Sequence, residues 1–163
     1  MWMEQMEKRI AIIGAGISGL LACKYTMEKG FNPVVFEAQS GIGGVWSKTI
    51  DSTKFQTPKH VYQFSDFAWP HSVRETFPDH NQVMECIKSY AMHFNILGRI
   101  KFNSKVINVD YVMPSDEDVL SWDLWGSTGG PFSPTGKWNV IVQEGRENCV
   151  STKVSQETFN FTN

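Results

Sequence analysis

Two short apolar runs flank a helix-like segment near the start of the chain. The first run covers residues 10–13, and the second covers residues 34–37 and ends at an acidic residue. Runs of this kind are typical of strands that are buried on both faces of a parallel sheet. Residues 18–29 have the composition of a helix, and Gly30 follows where a helix C-cap belongs. The pattern predicts a β-strand, an α-helix and a second, parallel β-strand.

The middle of the chain combines an irregular aromatic stretch with a second helix. Residues 47–80 are rich in aromatic side chains and prolines and are too apolar for a linker. We expect an ordered loop with short helical turns, which either lines a pocket or covers a small satellite core. Residues 81–95 carry apolar side chains at helical spacing, and Asp79 or Asn81 can cap this helix.

The last third of the chain has weaker patterns. Residues 100–109 are predicted to form one strand, and residues 137–143 alternate in polarity like another, with residues 122–125 as its candidate partner. The end of the chain is polar without a period. We therefore expect one domain over residues 1–150 and a frayed polar tail over residues 151–163.

A glycine-rich turn connects the first strand to the first helix. It reads Gly14-Ala15-Gly16-Ile17-Ser18-Gly19. Gly14 permits a tight turn, Gly16 lets a pyrophosphate approach the backbone, and Gly19 allows close packing of the helix. The N–H groups and the dipole of the helix N-terminus then favour a phosphate. The segment is a dinucleotide-binding fingerprint, although a βαβ unit that binds nothing would share this pattern.

An acidic residue, Glu37, ends the second strand at the distance that this fingerprint requires. Its carboxylate can accept hydrogen bonds from both ribose hydroxyls, and like-charge repulsion disfavours a 2′-phosphate there. The site therefore suits FAD or NAD better than NADP.

A second glycine cluster follows Glu37 closely. It reads Gly41-Ile42-Gly43-Gly44-Val45-Trp46. NAD does not need such a cluster, whereas FAD has a long second half that must pass close to the backbone. Trp46 would then form an aromatic wall near the flavin. The alternative is a plain glycine turn with Trp46 in the core.

Composition and charge exclude several classes of function. The chain has 163 residues and a net charge of −2, which gives no argument for nucleic acid or an anionic membrane surface. Its three isolated cysteines and four scattered histidines show no metal-ligand spacing. The N-terminus contains neither a signal peptide nor a membrane span. We expect no metal and a cytoplasmic protein, with a peripheral position at the endoplasmic reticulum left open.

Three stretches of the sequence together resemble the flavin-containing monooxygenases, most closely the plant branch. They are IAIIGAGISGL, VVFEAQSGIGGVW and FQTPKHVYQFSDFAWP. The first is shared by many FAD enzymes, and the third is more specific to this family. The resemblance implies an α/β fold, a Rossmann-like FAD-binding βαβ domain with a parallel sheet. In the plant branch it also suggests a role in pathogen defence.

The resemblance implies an enzyme of the N,N-dimethylaniline monooxygenase type. In this family NADPH reduces bound FAD, and the reduced flavin captures O₂ as a C4a-hydroperoxide that oxygenates an amine nitrogen or a sulfide. The flavin carries the chemistry, and the protein supplies binding, orientation and exclusion of water. The expected partners are therefore a small amine or sulfide and O₂.

The resemblance also implies which residues contact the cofactor. They are Gly14, Ala15, Gly16, Ile17, Ser18, Gly19, Glu37, Gly44, Val45, Trp46, Gln56, Thr57 and Val106. Val106 would meet the adenine through its backbone. Gln56 falls where many members place an asparagine that helps to hold the oxygenated flavin, and it is the candidate catalytic residue.

The sequence departs from the family pattern in its length. Members are more than twice as long and carry a second glycine fingerprint for NADPH, and neither that fingerprint nor the motif FxGxxxHxxx occurs here. We therefore expect an incomplete FAD domain without the NADPH domain. Three functions stay open: the FAD half of a monooxygenase, a non-catalytic FAD-binding or interaction module, and another type of FAD enzyme. The absence of CxxC weighs against a disulfide reductase, and SDFAWP weighs against an amine oxidase.

Overall fold

The first three elements form the predicted βαβ unit. The computed structural model describes residues 9–112, 137–145 and 153–160. Strand β1 is Arg9–Ile13, helix α1 is Ile17–Glu28, and strand β2 is Asn32–Phe36. The two strands are parallel. The prediction is confirmed, and the boundaries differ from it by one or two residues.

A third strand extends this sheet on the far side of β2. Strand β3, Ile100–Lys101, is parallel to β2 and places Ile100 opposite Val35. The strand order is β1-β2-β3. The predicted α/β class with a parallel sheet is confirmed.

The aromatic stretch between β2 and the second helix is irregular, as expected. One short 3₁₀ helix, Gly44–Ser47, leads into this stretch, and another, Lys59–Tyr62, lies within it. Helix α2 then runs over His80–His93, one residue earlier than predicted at its start. Its N-cap is Asp79, whose carboxylate accepts from the N–H of Gln82 while the Gln82 side chain accepts from the N–H of Asp79. This reciprocal capping box fixes the point where the aromatic stretch ends.

Loss of this cap gives a stability prediction. Asp79→Ala is expected to lower the free energy of unfolding by about 1 kcal/mol, because it removes a capping side chain. Asn81→Ala is the matched control, since Asn81 was the other candidate cap and is exposed. Urea denaturation followed by circular dichroism measures both. Equal losses in the two variants would contradict the assignment of Asp79 as the cap.

A second, antiparallel sheet differs from the sequence prediction. Its strands are β4 (Ser104–Val112), β5 (Lys137–Glu144) and β6 (Lys153–Asn160), in the order β4-β5-β6. The prediction of one strand over residues 100–109 was wrong. Asn103 has a φ of 52°, and the chain leaves the parallel sheet there. The strand predicted at residues 137–143 is confirmed.

The end of the chain also differs from the expectation. Residues Lys153–Asn160 pair with β5 along its full length, so the prediction of a frayed tail was wrong for them. The partner expected for β5, residues 122–125, lies outside the described residues. Glu157 helps to place β6 against the parallel sheet. Its carboxylate forms an ion pair with Arg9 of β1 (2.7 Å) and another with Lys101 of β3.

Two apolar cores lie on opposite faces of the parallel sheet. Val35 belongs to a core that the sheet shares with α1 and α2. Its neighbours Val34 and Phe36 face the antiparallel sheet, as the alternation of a strand requires. There the ring of Phe36 meets the ring of Phe159 edge-on, with centroids 6.3 Å apart. The described residues therefore form three layers: helices, parallel sheet and antiparallel sheet.

Candidate functional site

The glycine-rich turn lies between the end of β1 and the start of α1. Gly14 has a φ of 92°, which favours glycine, and its N–H donates to the carbonyl of Phe36 (2.8 Å). A Cβ on Gly19 would lie 1.9 Å from the carbonyl oxygen of Gly14. The helix therefore packs directly on the backbone of the turn, closer than any side chain would allow.

The N-terminus of α1 is open to a ligand. Gly16 is the N-cap, no side chain caps the helix, and its first turn contains no acidic residue. The first N–H groups of a helix have no partner within it, and the helix dipole favours an anion there. A Cβ on Gly16 would meet only the Cα of Gly44, at 3.7 Å, which is an ordinary contact. Packing within the protein thus does not require glycine at position 16, whereas close approach of a pyrophosphate would.

The second glycine cluster lies directly against the first. The N–H of Gly43 donates to the carbonyl of Ala15 (2.9 Å), and Gly44 adopts a φ of 57°. A Cβ on Gly44 would lie 3.1 Å from the Cα of Gly16. The two loops therefore form one glycine-lined cradle at the start of α1, as a ligand that passes over both would need.

The carboxylate of Glu37 is buried beside this cradle. Its Oε2 accepts from the N–H of Ala15 (2.7 Å), and its Oε1 accepts from the N–H of Gln39 (2.8 Å). Because each carboxylate oxygen can accept two hydrogen bonds, each keeps one acceptor position. The N–H of Glu37 donates to the carbonyl of Lys101, and the carbonyl of Glu37 accepts from the N–H of Ser104. The backbone that carries this side chain is therefore also fixed. The group fits a ribose diol.

A cavity of about 600 Å³ begins at the N-terminus of α1. Ile17 lines it on the side of the glycine cradle, and α2 contributes further walls. Its lining residues are Ile17, Trp46, Lys54, Phe55, Gln56, Thr57, Tyr62, Phe64, Trp69, Val83, Cys86 and Ile87. The pocket interpretation of the aromatic stretch therefore holds, and some of the same rings also pack on the main core.

Aromatic rings in edge-to-face and tilted contacts build one wall of this cavity. Phe55 is at its centre, with ring centroids 5.2 Å from Trp46, 4.9 Å from Tyr62 and 5.9 Å from Trp69. Such contacts hold the rings in fixed orientations. The wall is apolar and suited to a flat, aromatic ligand.

The cavity offers little acid–base chemistry of its own. Among the described residues that line it there is no carboxylate and no histidine. Burial raises the pKa of the Cys86 thiol to about 11, so this thiol stays protonated and unreactive at neutral pH. The site can bind and shield a reactive group, but its described residues supply no activated nucleophile.

The predicted site residues lie in the glycine cradle with Glu37, in the cavity wall, or outside both. Trp46, Gln56 and Thr57 line the cavity together with Ile17, next to the glycine cradle. Val45 is different, because its side chain is 76% exposed and could contribute through its backbone only.

Val106 and Ser18 lie outside the cavity. Val106 is on β4, two residues beyond Ser104, whose N–H bonds to the carbonyl of Glu37 (2.8 Å). Its side chain packs against the core beneath the antiparallel sheet. β4 is an edge strand, so its backbone groups have an unpaired side within the described sheet. Ser18 is exposed on the first turn of α1.

Sequence reasoning did not single out several residues of the cavity. Phe55, Tyr62 and Trp69 were noted only as part of an aromatic load, and Cys86 was given no position in the site. The abundance of aromatic residues was the available signal, but the arrangement of these rings and α2 around one cavity depends on long-range contacts that no local pattern encodes.

A comparison with models of protein families identifies the family of this chain. A family model described as flavin-binding monooxygenase-like matches residues 7–151. The chain belongs to this family. The matched range includes both glycine clusters, Glu37 and every described residue that lines the cavity. The resemblance inferred from the sequence motifs is confirmed.

Two relatives illustrate how far the similarity of this flavin-binding monooxygenase-like chain extends. It is 42% identical over 141 residues to a protein of Arabidopsis thaliana named "Probable flavin-containing monooxygenase 1", covering 85% of this chain and 26% of that protein. It is 36% identical over 170 residues to flavin-containing monooxygenase 1 of Homo sapiens, covering 97% of this chain and 29% of that protein. The chain thus spans less than a third of either relative.

The fold of this family member is also found in a solved structure. S-allyl-L-cysteine S-oxygenase from Allium sativum superposes with a TM-score of 0.68 at 21% identity, covering 94% of this chain and 35% of that one. At this identity the likeness concerns the fold alone.

No helix within the described residues is long and apolar enough to cross a membrane. The described residues also contain no group of three histidine, cysteine, aspartate or glutamate side chains placed to hold a metal ion.

Proposed function

We propose that the chain binds FAD and forms the FAD-binding part of an NADPH-dependent monooxygenase that oxygenates an amine nitrogen or a sulfide. One observation carries the proposal. Two glycine loops touch at the uncapped N-terminus of α1, beside the buried carboxylate of Glu37, and a cavity with an aromatic wall begins at the same helix end. A dinucleotide with an aromatic second half matches this sequence of features.

Each part of the site has a role in this proposal. The first N–H groups of α1 bind the pyrophosphate over Gly16, and Glu37 binds the ribose of the adenosine half. The backbone of Val106 meets the adenine. The flavin ring lies in the cavity near Trp46 and Thr57, where apolar walls exclude water. When bound, FAD supplies electron transfer and reaction with O₂, while the protein binds, orients and shields it.

Gln56 is the proposed polar contact at the reacting end of the site. Its side-chain amide lines the cavity and can both donate and accept a hydrogen bond. We propose that it orients the reacting edge of the flavin. Among the described residues that line the cavity, the ionisable side chains are those of Lys54, Tyr62 and Cys86.

The substrate class and the biological role rest on relatives. A sulfide is one class of substrate that we propose from the family resemblance, and a protein of the same fold is named as an S-oxygenase of S-allyl-L-cysteine. NADPH as the electron donor and a role in plant defence come from the family resemblance alone. A second candidate is a flavin-binding or interaction module without turnover, which is favoured by the presence of only one strand–GxGxxG–helix fingerprint in this sequence.

Bound flavin is the direct test of the proposal. We expect protein purified as residues 1–163 to carry FAD at close to one molecule per chain, identified by absorbance and by the nucleotide released on denaturation. Folded protein that neither retains nor rebinds FAD would contradict the proposal. Consumption of NADPH with oxygen uptake above the free-flavin background would exclude the module without turnover.

A further inference from the structure

A buried lysine in the middle of α1 takes no part in the site described above. Lys24 is only 6% exposed, and its ammonium pairs with Asp66 at 2.5 Å and with Glu28 at 2.7 Å. Lysine is almost never buried unless it is paired, since removing its charge from water is costly. Glu28 is one turn further along the same helix, whereas Asp66 belongs to the aromatic stretch. Of these two ion pairs, therefore, only the one with Asp66 links α1 to another part of the fold; the ammonium also lies 5.1 Å from the ring centroid of Phe94, at the end of α2.

Asp66 is at the tip of a tight turn. Phe64 and Phe67, on either side of it, face each other in an antiparallel bridge. Both rings pack on Tyr90 of α2, with centroids 4.4 Å and 5.6 Å away. The turn is thus held by Lys24 from α1 and by Tyr90 from α2.

This turn is connected directly to the wall of the cavity. Phe64 lines the cavity, as does Trp69 further along. The indole N–H of Trp69 donates to the carbonyl of Lys59 (3.0 Å), which joins the chain before this turn to the chain after it. Ile17, the first residue of α1, lines the same cavity. The helix that carries Lys24 therefore contributes Ile17 to the cavity wall, and the segment that carries Asp66 contributes Phe64 and Trp69.

We propose that Lys24 and Asp66 are positioning residues. Their ion pair fixes the aromatic segment, which is the part of the aromatic stretch between Ser47 and the start of α2 (residues 48–79), against α1. The pair thereby sets where the flavin ring lies relative to the pyrophosphate site. This inference rests on the proposed function. Neither side chain lines the cavity, so both act through Phe64 and its neighbours. The hydrogen bond from Lys24 lowers the pKa of the Asp66 carboxyl, so both partners are charged at neutral pH.

Two pairs of variants test the link. Lys24→Met removes the buried charge and keeps the length of the side chain, and Lys88→Met makes the same change at an exposed position of α2. Asp66→Ala and Glu28→Ala each remove one carboxylate partner of the same ammonium, but only the first cuts the connection between α1 and the aromatic segment. Calorimetric titration with ADP measures binding to the adenosine and phosphate half of the site alone. Titration with FAD measures binding to the whole site, so the difference between the two ligands reports on the flavin half.

We expect Lys24→Met and Asp66→Ala to weaken FAD binding by roughly ten- to hundredfold, because the ring wall is displaced from the phosphate site. ADP binding should stay within about twofold of the wild type, since about two turns of α1 separate Lys24 from the glycine cradle at the start of the helix. Lys88→Met and Glu28→Ala should change neither. The double variant Lys24→Met/Asp66→Ala should be no worse than either single variant. Equal losses of FAD and ADP, or unchanged FAD binding, would overturn the inference.

A second measurement does not depend on the flavin. Amide hydrogen exchange in residues 48–79 should be faster in Lys24→Met and Asp66→Ala than in the two control variants, while exchange in β1 and β2 stays the same. Unchanged exchange in the aromatic segment would overturn the positioning role. Wild-type protein that binds neither FAD nor ADP would instead contradict the proposed function, and the exchange result would still decide the role of the ion pair.

Discussion

Gly19→Ala is expected to lower the free energy of unfolding by about 3 kcal/mol or more, or to prevent folding. The new Cβ would lie 1.9 Å from the carbonyl oxygen of Gly14 and 3.0 Å from its carbonyl carbon. These are backbone atoms, and the N–H of Gly14 is bonded to Phe36 of β2, so the turn cannot retreat without loosening the sheet. Thermal and urea unfolding, followed by circular dichroism, measures the loss.

Gly16→Ala is the matched control, since it makes the same change three residues earlier. Its Cβ meets only the Cα of Gly44, at 3.7 Å. We expect its free energy of unfolding to stay within about 0.5 kcal/mol of the wild type, while FAD binding is lost because the methyl group occupies the approach of the pyrophosphate. Wild-type stability of Gly19→Ala would contradict the close contact between helix and turn, and full FAD binding by Gly16→Ala would contradict the proposed cradle.

The difference between these two glycines shows what the sequence could predict. A glycine fingerprint after an apolar strand indicates a βαβ unit, because turn chemistry and the periodicity of burial are local properties. The roles of Gly14 and Gly19 in the turn are confirmed by the backbone. The role of Gly16 stays a prediction. Packing does not require a glycine at this position, and only the approach of a ligand to the backbone would.

The second sheet was missed because its formation depends on distant contacts. Residues 100–109 read as one strand, yet the chain turns at Asn103 and enters a different sheet. β6 has the polar composition of a loose tail, and its position is set by Glu157 against β1 and β3 and by Phe159 against Phe36. A pattern read along the chain does not contain these partners.

The aromatic stretch was predicted either to line a pocket or to cover a satellite core, but the anchor that holds it was not predicted. Lys24 lies within a mostly apolar stretch of α1, and a cation in such a place needs an acidic partner. That signal was present in the sequence. It could not identify Asp66, because 42 positions separate the two residues and several other acids are nearer in the chain. The pairing is decided by the turn at Phe64–Phe67, which exists only in the folded protein.

Glu37→Gln is expected to weaken FAD binding by about a hundredfold, because two hydrogen bonds from ribose hydroxyls to a charged group are worth about 1.5 kcal/mol each. The same change affects the protein without ligand. Both carboxylate oxygens accept backbone N–H groups, from Ala15 and Gln39, and an amide would turn an NH₂ towards one of them. We therefore also expect the free energy of unfolding to fall by about 1–3 kcal/mol.

The binding and stability effects of Glu37→Gln can be separated. Glu85→Gln makes the same substitution at an exposed position of α2 and should change neither quantity. ADP contains the ribose that Glu37 binds, so calorimetry should find that ADP loses as much affinity as FAD in Glu37→Gln. The Lys24 and Asp66 variants should lose affinity for FAD alone. If Glu37→Gln bound ADP as tightly as the wild type, the acid at the end of β2 would be a purely structural bridge between Ala15 and Gln39, and the adenosine half of the ligand would have to lie elsewhere.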